Sequence, residues 1–430
     1  MLTRRRLLTA SAAVATGAGT VAMLSGCEPD PPAPVPADTL PPFDPQSWTS
    51  VRDQFALTPG VANFTTFVFA SHPATVRAAI ARHRAGLDED AYSYLHANEG
   101  PLDDAVARAA ATYLGTDAAQ IAYTDSTTMG LGLLYSGLKL APGDEVLTTE
   151  HDFYATHESL RLRSIRDGAT VRRVSLYDEP EQADAGQIVS RLLAAVTDRT
   201  RIVAITWVHS YSGVKLPVRA IADALAARNA GRNPDQRALL CVDGVHGFGI
   251  EDAGPNELGC DFLVTGTHKW LFGPRGTGII WGHPRAWSRF TPVIPTFTGA
   301  PDGPAGAYAT PGGYHSFEHR WAVAEAFALH QTIGRARVAE RTHTLTARLM
   351  DGLAKISKVR LRTPRSAELS AGIVCCDIAG YTSEQAVAKL REAKVHTSPT
   401  PYAQSFVRFG PSILTDESDV DKAVAAVGQL

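Results

Sequence analysis

Three segments of the chain are apolar with almost no interruption: "RIVAITWV" from Arg201, "ALLCVDGV" from Ala238 and "CDFLVTGT" from Cys260. A strand with one wet face alternates polar and apolar residues. Unbroken runs of this length, bounded by turn residues, fit strands covered on both faces, as in a mainly parallel sheet. "QIAYTDS", "EVLTTE" and "TVRRVSL" predict shorter strands upstream. Helical spacing falls between them, at 75–85, at 101–114 with Pro101 suited to a first turn, in "TTMGLGLLYSGLKL" and in "AGQIVSRLLAAVT". "GTGIIWGHP" adds a further strand, for which antiparallel pairing is open. The alternation of strand and helix from 101 to 290 predicts an α/β domain.

Beyond "TPGGYHSFEHRWA" the pattern changes. A long helical stretch at 321–356 leads to "VRLRTP", "GIVCCDIAG", a helix at 383–393, "VHTSP", "FVRFGPS" and a last helix from Asp416. This predicts a smaller α+β domain over 316–430, after a large domain over 75–315. Residues 48–74 precede the first large-domain helix and are expected to join the small domain.

The N-terminus stands apart. Arg4 and Arg5, followed by Arg6-Leu7-Leu8, resemble a twin-arginine export signal, and "LSGC" ending at Cys27 resembles a bacterial lipobox. Residues 1–27 are therefore read as a signal, with export by the twin-arginine route. A lipid anchor at Cys27 would then hold the protein on the outer face of the cytoplasmic membrane. Residues 28–47 are rich in proline and read as an extended tether, so the folded body is expected to begin near Trp48. A net charge of −3 gives no reason to expect a nucleic-acid partner. The five cysteines show no metal-ligand spacing, and adjacent Cys375 and Cys376 would point to opposite faces of a strand, so no structural disulfide is expected.

Open parallel sheets bind ligands at the carboxyl ends of their strands, and the polar residues there carry the candidate chemistry. Ser126, Thr127 and Thr128 follow one strand and start a helix, which makes an anion site or simply a helix cap. "HDFY" offers His151, Phe153 and Tyr154 as ring-stacking groups, and "HSYSG" offers His209 and Ser210. Asp243 ends a buried run, where an unpaired carboxylate costs several kcal/mol and calls for a cation. His246 follows it, and glycines at 244, 247 and 249 suggest close approach by some group. "GTHKWLFGPRGTG" then ends a strand at His268-Lys269. A lysine with a neutralised amine forms Schiff bases. A carboxylate for a pyridinium nitrogen, a phosphate cradle and such a lysine are together the protein's share of a pyridoxal-phosphate site.

This ordered set resembles the class V aminotransferase family of fold-type-I pyridoxal 5'-phosphate (PLP) enzymes. Its core is "VDGVHGFG" followed by "CDFLVTGTHKWLFGPRGTG", and the likeness runs over about 48–430. The "HKWL" form is similar to the isopenicillin-N-epimerase-like branch, with cysteine desulfurases as further relatives. The resemblance implies that Lys269 carries PLP and that Asp243 pairs with its ring nitrogen. It places His246 near the phenolic oxygen, His151 on the ring with Tyr154 as the other candidate, and Ser210 against the ring. Thr127, Thr128 and His268 would hold the phosphate. Thr310 of "YATPGG" would reach a second subunit's phosphate, which implies a homodimer. Arg408 of "FVRFGPS" would clamp the substrate carboxylate. Desulfurases need a nucleophilic cysteine where this chain reads "KVHTSPTPYAQSF", so desulfurase activity is disfavoured. His396 and the Ser71-His72 pair remain as pocket candidates or plain loop residues. The implied activity is epimerase or aminotransferase chemistry on an amino acid or small amine. A PLP-dependent lyase and a non-catalytic lipoprotein scaffold stay open as alternatives.

Overall fold

The computed structural model describes residues 40–430; the twin-arginine motif, Cys27 and nearly all of the proline-rich tether lie outside the described residues. The central sheet has seven strands: β1 (Ile121–Thr124), β2 (Glu145–Thr149), β3 (Thr170–Val174), β4 (Thr200–Thr206), β5 (Leu239–Asp243), β6 (Phe262–Gly266) and β7 (Gly278–Gly282). Their order is β1-β7-β6-β5-β4-β2-β3. All neighbours are parallel except β7, which runs antiparallel to both β1 and β6. The fold is thus α/β with a mostly parallel sheet.

The three apolar runs are β4, β5 and β6, adjacent at the middle of the sheet. Alternate residues feed different cores. Leu240, Val242 and Leu263 pack with Trp207, Trp270 and Phe327 on one face. Leu239, Cys241, Phe262 and Val264 pack with Leu131, Leu134 and Tyr135 on the other. Both sets are removed from water, which is why the sequence of these strands does not alternate.

A second sheet of four antiparallel strands has the order β11-β12-β9-β8, from β8 (Val359–Leu361), β9 (Val374–Ile378), β11 (Ser398–Pro399) and β12 (Val407–Phe409). The two-residue β10 (Val395–His396) pairs in parallel with Ala62–Asn63, which brings the N-terminal segment onto this side of the molecule. Successive residues of β9 face opposite ways. Cys375 enters the core shared with the large sheet and Cys376 the core beneath the helices Arg335–Leu353 and Glu417–Gln429. The four described cysteines, Cys241, Cys260, Cys375 and Cys376, are buried free thiols.

Two expected helices differ. The stretch at 101–114 is the second half of a helix, Ala91–Leu114, so Pro101 is interior rather than first-turn. The start lies upstream because the Asp90 side chain accepts from the Ser93 amide and caps the first turn. The expected single helix at 321–356 is interrupted. Phe317–Trp321, Val323–Ile333 and Arg335–Leu353 follow one another, and Gly334 at φ 93° turns the chain between the last two.

Candidate active site

Parallel β2, β4, β5 and β6 end on one side of the sheet, and their last residues deliver the polar groups. Asp243 closes β5, is 1% exposed, and accepts one hydrogen bond, from the Val245 amide at 3.0 Å. Lys269 lies three residues past β6 and is half-buried. Among the described residues its amine makes no hydrogen bond or ion pair, so it meets Asp243 only through space. Burial pushes the Asp243 carboxyl well above the usual carboxylate range, and the Val245 amide and Lys269 pull it back. Burial likewise lowers the Lys269 ammonium, opposed by Asp243 and assisted by Arg408. The result is an amine that loses its proton more readily than a surface lysine.

The bulky residues after Lys269 fix its position. Trp270, Leu271 and Phe272 are each no more than 1% exposed. Phe272 adopts φ 61°, costly for an aromatic residue, and donates its amide to the Lys269 carbonyl at 3.0 Å. Its ring is held against Phe55 with centroids 5.1 Å apart. The Trp270 indole N–H donates to His246 Nδ1 at 3.3 Å. A donor-only indole requires Nδ1 to be unprotonated, so the His246 proton sits on Nε2. Burial, then Lys269 and Arg408, hold His246 neutral, far below the ordinary histidine range.

The expected anion cradle lies at the start of the helix Thr127–Gly137. Ser126 caps it, accepting from the Met129 amide at 3.1 Å. Thr127 Oγ1 accepts from the Gly266 amide at 2.7 Å, which ties the helix start to the end of β6. Thr128 is exposed in the first turn. His268 donates through Nδ1 to the Thr277 carbonyl at 3.1 Å, leaving Nε2 for an external partner.

Arg408, in β12, is 6% exposed and has no carboxylate partner among the described residues. Nε and one terminal nitrogen donate to Ser398 Oγ at 3.3 and 3.1 Å, and the other terminal nitrogen donates to the Ser210 carbonyl at 3.2 Å. Of a guanidinium's five N–H groups, one on each terminal nitrogen stays free, the pair that a carboxylate takes. Phe67 lies beneath, 4.3 Å from Cζ to ring centroid.

The chain is similar to known proteins. The model for the family described as aminotransferase class-V matches residues 102–421. The chain belongs to the class V aminotransferase family. Isopenicillin N epimerase of Streptomyces clavuligerus is 24% identical over 89% of this chain and 98% of its own. A probable cysteine desulfurase of Pseudomonas aeruginosa is 30% identical over 63% of this chain and 67% of its own. Among solved structures, a lysine-to-alanine variant of C-DES with glycine covalently linked to its PLP cofactor superposes with a TM-score of 0.80 at 22% identity, covering 88% of this chain and 99% of the other. Cysteine desulfurase CsdA of Escherichia coli gives 0.75 at 19% identity, over 90% and 98%. Class V enzymes depend on PLP, and the donor set fits that group: among the described residues, a buried carboxylate without a contact cation, an amine without a partner, and a helix N-terminus tied by Thr127 to the strand end that leads to His268.

The structure brings Asp243, His246, His268 and Arg408 within electrostatic reach of Lys269, with Thr127 bonded to the end of β6 and Ser210 to Arg408. His151 is held rigid rather than free. Its ring stacks on Tyr177 at 3.9 Å and Nε2 accepts from the Leu176 amide at 3.1 Å. Burial first, then His209, lowers His151 to about 3, so it is neutral. Tyr154 is 66% exposed and stands apart from this stack. His72 is buried, with Nε2 lacking a partner, and burial followed by Arg275 and His319 lowers it to about 4. Asn63 and His396 pair as strand neighbours.

Thr310 is 5% exposed in the single chain; its hydroxyl donates to the Gly306 carbonyl at 2.9 Å and accepts from the Tyr123 amide at 3.0 Å. It closes the short helix Ala305–Ala309 against β1. The close approach expected at the glycines after Asp243 comes, at Gly247 and Gly249, from the protein's own Trp207 and Trp270. A Cβ on Gly247 would lie 2.3 Å from the Trp207 ring, and Gly249, at φ 90°, would meet the Trp270 backbone at 2.8 Å.

Sequence reasoning passed over Asp152 and Tyr402. Asp152 is 1% exposed; Oδ2 accepts from the Thr148 hydroxyl and from the Thr149 amide and hydroxyl, all at 2.8 Å, while Oδ1 has no partner. The signal was available, since Asp152 lies three residues past the end of β2, as Lys269 does past the end of β6. Tyr402 Oη lies 2.7 Å from Ser210 Oγ, and nothing in its local sequence announces that.

Proposed function

We propose that the protein is a PLP-dependent enzyme that moves the α-proton of an amino acid, giving epimerisation or transamination. The observation that carries this is the buried Arg408, with no anion among the described residues, within electrostatic reach of the Lys269 amine, itself without a partner among them, which in turn faces the Asp243 carboxylate. In this reading Asp243, His246, His151 and Ser210 surround the cofactor ring, and Thr127, Thr128 and His268 receive its phosphate. Bound PLP supplies an electron sink that acidifies the proton on the substrate's α-carbon. Arg408 takes the α-carboxylate on its two free N–H groups and so fixes which α-substituent points at Lys269. The Lys269 amine, its proton affinity lowered by burial, accepts that proton and returns it. Neutral His246 presents Nε2–H as a donor. The close-packed "WLF" side chains hold Lys269 so that the proton travels a short fixed distance.

Purified protein is expected to carry a visible cofactor band that Lys269→Ala abolishes; a colourless protein that takes up no PLP refutes the reading. Incubation of the loaded enzyme with L- and D-amino acids in deuterated water then separates outcomes. Inverted, α-deuterated product marks an epimerase, oxo-acid a transaminase, and loss of the β-substituent the lyase alternative. Desulfurase chemistry stays disfavoured, because the described cysteines are buried and burial raises their thiols above the ordinary range. We also read the chain as an exported, lipid-anchored homodimer. Activity confined to the cytosol on fractionation would refute the export, and a monomer in sedimentation would refute the dimer.

A further inference from the structure

The small-domain segment between β11 and β12, residues 400–406, lies against the loop that follows β4. Two side-chain bonds join them. Tyr402 Oη meets Ser210 Oγ at 2.7 Å, and Tyr211 Oη donates to Gln404 Oε1 at 2.6 Å. The Tyr402 ring stands edge-on to Phe153 at 6.2 Å and to Tyr211 at 5.2 Å, so it has little room to swing. Ser210 is the junction: its hydroxyl engages Tyr402 and its carbonyl receives a terminal N–H of Arg408. The other side of the guanidinium is held by Ser398, on the strand that pairs with β12.

We propose that Tyr402 is a positioning residue for Arg408, acting through Ser210 to aim the two free guanidinium N–H groups at an α-carboxylate. The inference rests on the amino-acid reading above and narrows it to substrates that keep that carboxylate. Both anchors of Arg408 are neutral oxygens, a hydroxyl and a carbonyl, so neither competes with an incoming anion for the charge. A shift of the Ser210 backbone would withdraw one of them and let the side chain tilt over Phe67. By holding the Ser210 hydroxyl, Tyr402 resists that shift. Burial raises the phenol above its ordinary range, with Ser210 and Arg408 opposing, so the hydroxyl keeps its proton at working pH and can serve as a steady hydrogen-bond partner.

The test uses the PLP-loaded enzyme and the amino acid that exchanges its α-proton fastest in the deuterium panel. Tyr402→Phe keeps the ring and removes only the hydroxyl. It is expected to raise KM about five- to tenfold, the worth of one hydrogen bond, with kcat lowered less than about threefold and an unchanged cofactor spectrum. Propionate, a carboxylate without an amine, is expected to lose inhibitory potency by a similar factor. Tyr211→Phe cuts the other tie of the same segment, the one that does not pass through Ser210. It is expected to leave both values within about twofold, less than the worth of one hydrogen bond. The inference is overturned if Tyr402→Phe matches wild type, if Tyr211→Phe raises KM equally, which would make segment order the cause, or if kcat alone falls. Should Tyr402→Phe melt early, Ser210→Ala in wild-type and Tyr402→Phe backgrounds decides: additive effects on propionate inhibition overturn the relay, and a shared effect supports it. Failure of the wild type to take up PLP is a different result, which removes the functional reading itself.

Discussion

Asparagine at position 243 separates what the carboxylate does to the fold from what it does for a ligand. Asp243→Asn keeps the shape and the acceptor for the Val245 amide at 3.0 Å, and removes the charge. Without ligand, that charge is 1% exposed, and Lys269 balances it only through space. The folded-state carboxyl is raised by burial, so the folded protein holds a proton that the unfolded chain releases. The unfolded state therefore binds fewer protons from the ordinary carboxylate value of about 4 upward, and Asp243 makes the stability of cofactor-stripped protein fall as pH rises through that window. Each tenfold difference in proton affinity between the folded and unfolded chain is worth about 1.4 kcal/mol. Burial, after the offset by the Val245 amide and Lys269, puts the carboxyl at about 7, an upper bound of about 4 kcal/mol, of which about half is expected once the folded protein relaxes around the charge. Stripped Asp243→Asn is thus expected to exceed stripped wild type by about 2 kcal/mol at pH 8, with the gap narrowing at pH 5. With excess PLP the order reverses, because the carboxylate then has a cationic ring nitrogen to meet. Urea midpoints of stripped and loaded protein at both pH values measure this. A stripped variant no more stable than wild type at pH 8 would refute the claim that Asp243 is an undercompensated buried charge.

Arg408→Lys substitutes a point charge for the two parallel N–H groups and loses the anchors on Ser398 and Ser210; kcat/KM for the best amino acid is expected to fall about 10- to 100-fold, mainly through KM, with the visible cofactor band retained. Gly213→Ala would set a Cβ 2.3 Å from the Ile373 carbonyl oxygen at φ 75°, in the turn that carries Ser210. A loss of at least about 2 kcal/mol in urea unfolding is expected, and a neutral result would show that the turn relaxes freely.

What the sequence reveals about this protein depends on whether the physical cause is local. β4, β5 and β6 are legible because burial on both faces removes polar residues from the strands themselves. Asp243 and Lys269 are legible for a related reason: each is the first charged group after such a run, and a charge at the end of a buried strand needs a purpose. The break at Gly334 was readable in principle, since a left-handed glycine leaves its mark at one position, but the apolar spacing on either side continues in phase and masks it. The partners of Thr310 and of the glycines after Asp243 are not legible locally, because Tyr123, Trp207 and Trp270 come from elsewhere in the chain. A glycine states that something approaches closely and is silent about what. Tyr402 is the extreme case. Its segment has no periodicity, no charge and no glycine signal, and its importance arises only because the second sheet lays that segment on the loop after β4 and on the residue that also holds Arg408. The polar strand ends of the central sheet are therefore written in that sheet's own pattern. The contact between the segment 400–406 and the loop after β4 is written in pairing between distant segments, where a single sequence carries the least information.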